Sequence, residues 1–126
     1  MSIFSGQVIS GHGRGRTIGF PTLNLKLTPT QVSETGIEPG VYGVRAHVNG
    51  AVFYGGMHFG PRPTFDEKDP TVELHLVGFS GEKVDGEVRV EVLKRLRGIR
   101  TFVSQEALKK QIEKDMMAVK KMAHAQ

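Results

Sequence analysis

The chain has 126 residues and no cysteine, and its 17 lysine and arginine residues exceed its 13 aspartate and glutamate residues by a formal charge of +4. This length fits one compact domain, residues 1–126. The absence of cysteine excludes a disulfide scaffold, a thiol nucleophile and every Cys-ligated zinc site. No apolar run approaches the ~20 residues that cross a bilayer, and the first residues lack the features of a secretory signal. We therefore expect a soluble, cytoplasmic domain that attracts anions and has no membrane partner.

Alternation of apolar and polar residues, typical of β-strands, runs through most of the chain. The predicted strands cover residues 6–10, 41–48, 51–54, 71–79 and 87–93. Asn49-Gly50 should join two of them as a hairpin, because this pair tolerates the positive φ angles of a type I′ turn. Glu73 falls on the face of its strand opposite the apolar residues. Five or six short antiparallel strands predict a small closed barrel, since closure removes exposed edges.

A helix is predicted over about residues 104–123, after a barrel of about residues 1–100. Ser104 is a favourable N-cap, and Glu106 lies in the first turn, where the helix dipole favours a carboxylate. An apolar stripe at helical spacing should lie on the barrel: Leu108, Ile112, Met116, Val119 and Ala123. The helix lysines are interpreted as a solvated face, because no aromatic residues interleave with them. No nucleic-acid partner is expected.

A glycine-rich loop occupies residues 11–19 and carries Arg14 and Arg16. Glycines let backbone N–H groups approach an anion, and arginines add planar donors for phosphate oxygens. The loop has neither the P-loop pattern nor the strand–helix context of a dinucleotide fingerprint. By itself it fits either a phosphate-binding loop or a basic loop without a ligand.

Thr22 and Asn24 follow Pro21 in a segment expected to be extended. Residues two apart in such a segment point to the same side, so the threonine hydroxyl and the asparagine amide oxygen should converge. Neutral oxygens beside a phosphate loop suit Mg²⁺. The alternative is that both side chains satisfy backbone groups near a turn. None of the five histidines has a partner at a recognisable metal-ligand spacing.

Several motifs occur in an order that resembles the riboflavin kinase family over nearly the whole chain. They are Gly11-x-Gly13-Arg14-Gly15, Gly19-Phe20-Pro21-Thr22-x-Asn24, Pro39-Gly40-Val41-Tyr42, Gly60-Pro61-Arg62-Pro63-Thr64-Phe65, Val72-Glu73-x-His75-Leu76 and Leu96-Arg97…Phe102-x-Ser104…Leu108…Gln111-Ile112…Asp115. The resemblance implies an all-β core, a six-stranded antiparallel Greek-key β-barrel with a C-terminal α-helix. It also implies phosphorylation of the riboflavin 5′-hydroxyl by ATP with Mg²⁺, giving FMN and ADP; the sequence leaves Zn²⁺ and Mn²⁺ open as alternatives to Mg²⁺.

The resemblance also implies roles for individual residues. Glu73 would be the catalytic base that takes the hydroxyl proton. The nucleotide would be bound by Gly11, Gly13, Arg16, Pro21, Thr22 and Asn24, of which Thr22 and Asn24 would also hold the metal. The flavin would lie against Arg97, Arg100 and Phe102, ahead of the C-terminal helix.

Some positions depart from the usual family sequence. Ile99 stands where a glutamate is usual, and His58-Phe59-Gly60 stands where many members have Asn-Ile-Gly. The alternative to the kinase is therefore a catalytically weak flavin- or nucleotide-binding or regulatory module on the same barrel. Many bacterial relatives carry an N-terminal FMN adenylyltransferase domain, for which these residues offer no counterpart, so FAD synthesis is not expected. The sequence gives no indication of protein partners.

Overall fold

The computed structural model of the protein describes residues 2–9, 22–60, 71–80, 84 and 86–125. Within these ranges it contains six strands and two helices. In chain order they are β1 (Ile3–Ile9), β2 (Thr22–Lys26), α1 (Pro29–Thr35), β3 (Gly40–Val48), β4 (Ala51–Phe59), β5 (Thr71–Leu76), β6 (Glu87–Arg97) and α2 (Gln105–Ala125). The predicted glycine-rich loop at residues 11–19 lies outside the described residues, and so does Pro21.

The six strands form a closed antiparallel barrel in the order β1-β2-β5-β4-β3-β6. Strands β3, β4 and β5 pair consecutively, and β6 returns to lie beside β3, which is the Greek-key arrangement. The fold expected from the family resemblance is therefore confirmed. Asn49 and Gly50 both have positive φ angles, 50° and 77°, as the predicted hairpin requires.

Strand and helix boundaries differ from the sequence-based expectation in several places. β4 extends to Phe59 because β3 and β5 continue the hydrogen-bond ladder on both of its sides, and β6 extends to Arg97 because β3 pairs with it as far as Val41. The short helix α1 was not predicted. It begins at a capping box between Thr28 and Gln31 and ends at Gly36 with φ 66°.

The core fills the barrel interior with alternate residues of each strand. The most deeply buried large side chains include Leu25, Leu27, Val44, Val48, Met57, Val72, Leu74, Leu76, Val88 and Val90. Because strand side chains alternate between faces, the residues between them in β2 and β5 point to the outside of the barrel. Glu73 thus lies on the outer face, as predicted.

Helix α2 lies on the outside of β3 and β4 and is capped by Ser104, whose hydroxyl accepts from the Ala107 amide at 3.1 Å. The helix approaches closely because Gly43 stands beneath it: a Cβ there would lie 2.6 Å from the sulfur of Met122. The predicted helix and its apolar stripe are confirmed, with Ile112, Met116 and Val119 buried in the described structure. No helix among the described residues is long and apolar enough to span a membrane.

Candidate active site

The pairing of β2 with β5 brings four polar residues together on the outside of the barrel. Thr22 lies directly opposite His75, and Asn24 lies directly opposite Glu73. Opposed residues in an antiparallel pair have Cα atoms about 4.5–5.5 Å apart, so their side chains are in reach of one another. We call this set (Thr22, Asn24, Glu73 and His75) the polar face. Thr22 and Asn24 therefore lie on the same face as Glu73, the predicted base.

A chain of polar contacts crosses the polar face. The Nε2 atom of His75 lies 3.1 Å from Oε1 of Glu73, and the Nδ1 atom of the same ring lies 3.5 Å from Oγ1 of Thr22. The His75 side chain is 10% exposed and that of Glu73 is 24% exposed. One buried imidazole thus joins the hydroxyl of a predicted metal ligand to the carboxylate of the predicted base.

The donor atoms of the polar face fit a divalent metal that arrives with a nucleotide. A hydroxyl, an amide oxygen and a carboxylate are hard oxygen ligands, and Mg²⁺ commonly combines one or two such protein ligands with water and phosphate oxygens. No group of three or more His, Asp or Glu side chains that could hold a metal ion occurs in the described part of the chain. The neutral oxygens that the polar face offers to such an ion are the Thr22 hydroxyl and the Asn24 amide oxygen.

A second cluster joins the end of β6 to helix α2, and we call it the arginine junction. Its members are Arg97, Arg100, Phe102, Gln111 and Asp115. The guanidinium of Arg97 donates from Nε and Nη2 to the Asp115 carboxylate at 3.0 and 2.9 Å, and from Nη1 to the Gly98 carbonyl at 3.1 Å. Only 16% of the Arg97 side chain and 9% of the Asp115 side chain are exposed. This two-point ion pair holds the strand to the helix.

The other members of the arginine junction extend this contact toward the loop. Gln111 donates to Asp115 at 3.1 Å and accepts from Nη1 of Arg100 at 2.7 Å. The guanidinium carbons of Arg97 and Arg100 lie 5.8 and 5.6 Å from the centre of the Phe102 ring. Two cations therefore flank one aromatic ring. The three residues predicted to contact the flavin are brought together in one place.

One row of the barrel connects the two clusters. Asn24, Glu73, His58, Val41 and Arg97 follow one another in register across β2, β5, β4, β3 and β6. With neighbouring strands about 4.8 Å apart, the backbones at Glu73 and Arg97 are separated by about 14 Å around the barrel. The polar face and the arginine junction thus lie at the same level of the barrel.

The residue that departs from the family near the junction packs against the end of β4. A Cβ at Gly60, where φ is 144°, would lie 2.7 Å from Cδ1 of Ile99 and 3.0 Å from Pro39. Ile99 thus makes an apolar contact where a family glutamate would place a charge. Among the remaining predicted site residues, Gly11, Gly13, Arg16 and Pro21 lie outside the described residues.

Sequence reasoning assigned no role to three residues that complete these clusters. His75 carried a usable signal, since it lies two residues from Glu73 and must share its face of the strand. Gln111 and Asp115 are four residues apart on a helix, where such a pair can hydrogen-bond. Nothing in the sequence indicated that Asp115 would meet Arg97.

Comparisons with known proteins identify the family to which the chain is similar. A family model described as "Flavokinase: Riboflavin kinase" matches residues 2–123. A "Bifunctional riboflavin kinase/FMN adenylyltransferase" of Bacillus subtilis is 43% identical over 114 residues, covering 87% of this chain and 35% of the relative. An "RNA-binding riboflavin kinase RibR" of the same organism is 36% identical over 122 residues, covering 96% of this chain and 51% of the relative. This chain thus spans about a third to a half of the length of these relatives.

A solved structure supports the fold independently. The "riboflavin kinase from Trypanosoma brucei" superimposes with a TM-score of 0.66 at 22% identity, covering 97% of this chain and 76% of the other. At that identity the likeness concerns the fold. The family model, by contrast, covers most of the chain. This chain belongs to the riboflavin kinase family.

Proposed function

We propose that this chain transfers the γ-phosphoryl group of ATP to the 5′-hydroxyl of riboflavin, giving FMN and ADP. The observation that carries the proposal is the meeting of Thr22, Asn24 and Glu73 on one outer face of the barrel, by cross-strand register. Two neutral oxygen donors stand there beside a carboxylate. A base beside oxygen ligands for a metal suits phosphoryl transfer to an alcohol, because such a reaction depends on positioning and charge neutralisation.

In the proposed step, Glu73 acts as general base. Its carboxylate accepts the proton of the ribityl hydroxyl as that oxygen forms a bond to the γ-phosphorus, and the bond from phosphorus to the β,γ-bridging oxygen breaks. ADP leaves with the electron pair of that bond. Thr22 and Asn24 would hold the Mg²⁺ that accompanies ATP, and a bound Mg²⁺ supplies neutralisation of phosphate charge.

The arginine junction is proposed to hold the flavin ring system. Arg97 donates from each of its three guanidinium nitrogens to Asp115 or to the Gly98 carbonyl, so it would brace the loop against which the flavin lies as well as contact the flavin. Phe102, flanked by two cations, offers an aromatic surface to a planar ligand. Ile99 adds an apolar contact at the same loop.

The test is to incubate the purified chain with riboflavin, ATP and Mg²⁺ and to separate the flavins by chromatography. We expect FMN to form, with no FMN when EDTA removes the metal and no FAD under any condition. Riboflavin binding, measured by quenching of flavin fluorescence, without any FMN would overturn the kinase. That result would favour the alternative, a flavin- or nucleotide-binding or regulatory module.

The absence of a nucleic-acid partner remains a prediction for this chain. One relative is named as RNA-binding, and this chain covers about half of it. The exposed lysines of α2 are the residues to which RNA would bind: Lys109, Lys110, Lys114, Lys120 and Lys121. We expect only weak retention of a labelled RNA at 150 mM salt, since no aromatic residues accompany these lysines.

A further inference from the structure

We propose that His75 is a positioning residue that orients the Glu73 carboxylate and the Thr22 hydroxyl at the same time. This inference rests on the proposed kinase function and assigns His75 a role that it exerts through Glu73 and Thr22. The evidence is the position of one imidazole ring between the Glu73 carboxylate and the Thr22 hydroxyl. Its two ring nitrogens lie 3.1 Å from Glu73 and 3.5 Å from Thr22.

The hydrogen count around the neutral ring allows one consistent arrangement. An ionised carboxylate only accepts, so Nε2 of His75 carries the hydrogen and donates it to Oε1 of Glu73. Nδ1 is then an acceptor, and the Thr22 hydroxyl donates its proton to it. The threonine oxygen therefore directs its proton toward the histidine, and its lone pairs remain for a cation or a hydrogen-bond donor. The same imidazole ring thus fixes the orientation of the Thr22 hydroxyl, a proposed metal ligand, and of the Glu73 carboxylate, the proposed base.

The backbone around His75 keeps the ring in place. His75 is 8% exposed. Its strand, β5, is paired on both sides, and the residues opposite His75 are Thr22 on β2 and Gly56 on β4. The strands approach so closely that a Cβ at the neighbouring Gly55 would lie 2.4 Å from the His75 carbonyl oxygen. A buried side chain on a strand held this firmly has little rotational freedom, so its hydrogen bonds constrain their partners.

A second histidine–glutamate pair on the barrel shows what a pair without this role looks like. Nε2 of His47 lies 3.5 Å from Oε1 of Glu91, but that carboxylate is also bound by Arg45 and Arg89. The His47 side chain is 36% exposed. Glu91 is oriented by two arginines and does not depend on the histidine. His47 is therefore the matched control for His75.

The experiment compares His75→Leu, His75→Gln and His47→Leu in steady-state phosphorylation of riboflavin. Leucine fills the space and removes both ring nitrogens, whereas the glutamine amide places a donor close to the position of Nε2. We expect kcat to fall about 10- to 100-fold in His75→Leu, with the KM for riboflavin and the melting temperature nearly unchanged. His75→Gln should recover most of kcat, and His47→Leu should match the parent. A His75→Leu enzyme with the parent kcat, or equal losses in both His75 variants, overturns the proposal.

Two further measurements keep the proposal falsifiable if His75→Leu does not fold. In a Glu73→Gln background, His75→Asn, whose amide is too short to reach the position of Nε2, should lower kcat less than it does in the parent, because the part of its effect that passes through the carboxylate is already lost and only the part through Thr22 remains; fully additive losses contradict this. In the unliganded parent at pH 8, ¹⁵N NMR should show the Nε2-protonated tautomer of His75, and the Nδ1-protonated form would overturn the proposal. A parent chain that makes no FMN instead refutes the proposed function, whereas the tautomer is read without turnover.

Discussion

The polar face and the arginine junction lie on the same row of the barrel, but different forces hold them. The polar face depends on strand register: once β2 pairs with β5, Thr22, Asn24, Glu73 and His75 become neighbours. The arginine junction depends on docking of a helix, because Arg97 and Asp115 meet only when α2 lies on the barrel. The polar face is held by the many backbone hydrogen bonds of paired strands, whereas the arginine junction is held by side-chain contacts centred on the Arg97–Asp115 pair.

The largest expected effect is the loss of kcat when the polar face, but not the arginine junction, is altered at Glu73. Glu73→Gln keeps the shape of the side chain and removes the base, so kcat should fall by roughly 10²–10⁴, with little change in flavin and ATP binding or in melting temperature. Single-turnover rates and fluorescence titration measure both quantities. Glu87→Gln, an exposed carboxylate at the start of β6, is the control and should match the parent. Parent-like turnover in Glu73→Gln would remove the proposed mechanism.

Asp115→Ala should break the arginine junction and leave the polar face intact. It removes one partner of a largely buried ion pair and leaves Arg97 uncompensated, which costs about 3 kcal/mol of folding stability. Urea unfolding measures the loss, and the KM for riboflavin should rise more than kcat falls. Glu113→Ala, an exposed acid on the same helix, is the control. Equal stability of the two variants would show that the pair does not hold the helix.

Adjacent glycines of β4 test how tightly the backbone under the polar face is packed. At Gly55 a Cβ would lie 2.4 Å from the His75 carbonyl oxygen, whereas at Gly56 the nearest atom is the Met116 sulfur at 3.7 Å. Gly55→Ala should therefore lower the free energy of unfolding by about 2 kcal/mol, and Gly56→Ala should be close to neutral. The same substitution at neighbouring positions supplies its own control. Similar stability of both variants would contradict the close approach of β4 and β5.

Thr22→Ala and Asn24→Ala should affect nucleotide use without affecting the fold. Loss of one oxygen ligand or charge-assisted hydrogen bond, ~1.5 kcal/mol, corresponds to a rise of about tenfold in the KM for Mg·ATP. Both residues are only partly buried and face outward, so melting temperatures without ligand should stay near that of the parent. A large loss of stability with unchanged kinetics would mean that these side chains support the turn instead.

The smallest expected effect is on the melting temperature and concerns the Arg45–Glu91 ion pair between β3 and β6, which lies apart from the arginine junction. The hydrogen bond from Arg45 holds the pKa of Glu91 below its usual value of 4.5. A carboxylate with a lowered folded-state pKa stabilises the protein above the unfolded value and loses that contribution as the pH falls through the folded pKa. The melting temperature of the parent should therefore exceed that of Glu91→Gln at pH 7, and the gap should close below pH 4.5. A gap that widens on acidification would contradict this sign.

Local patterns in the sequence predicted the pieces of the polar face. Alternation along β5 placed Glu73 outside the barrel, and the spacing of Thr22 and Asn24 predicted that their oxygens converge. Neither pattern could say that Asn24 stands opposite Glu73, because that register joins strands far apart in the chain. Thr22 and His75, for example, are 53 residues apart. Helix α1 is the opposite case, since its capping box and terminal glycine are local signals that were present and not used.

The arginine junction shows what the sequence could not supply. Arg97, Arg100 and Phe102 came from the family resemblance, and the resemblance contained Gln111 and Asp115 without a role for either. Their function depends on which turn of α2 lies over which strand, and the close approach at Gly43 settles that position.

By itself the sequence determined the strand periods, the Asn49-Gly50 hairpin, the helix that begins after Ser104 and the outward direction of Glu73, because each follows from bonds and sterics within a few residues. Only the tertiary structure decided that His75 bridges Thr22 and Glu73, and that Asp115 engages Arg97. Those contacts join distant segments, and their geometry follows from barrel closure and helix docking, which depend on the packing of the whole core.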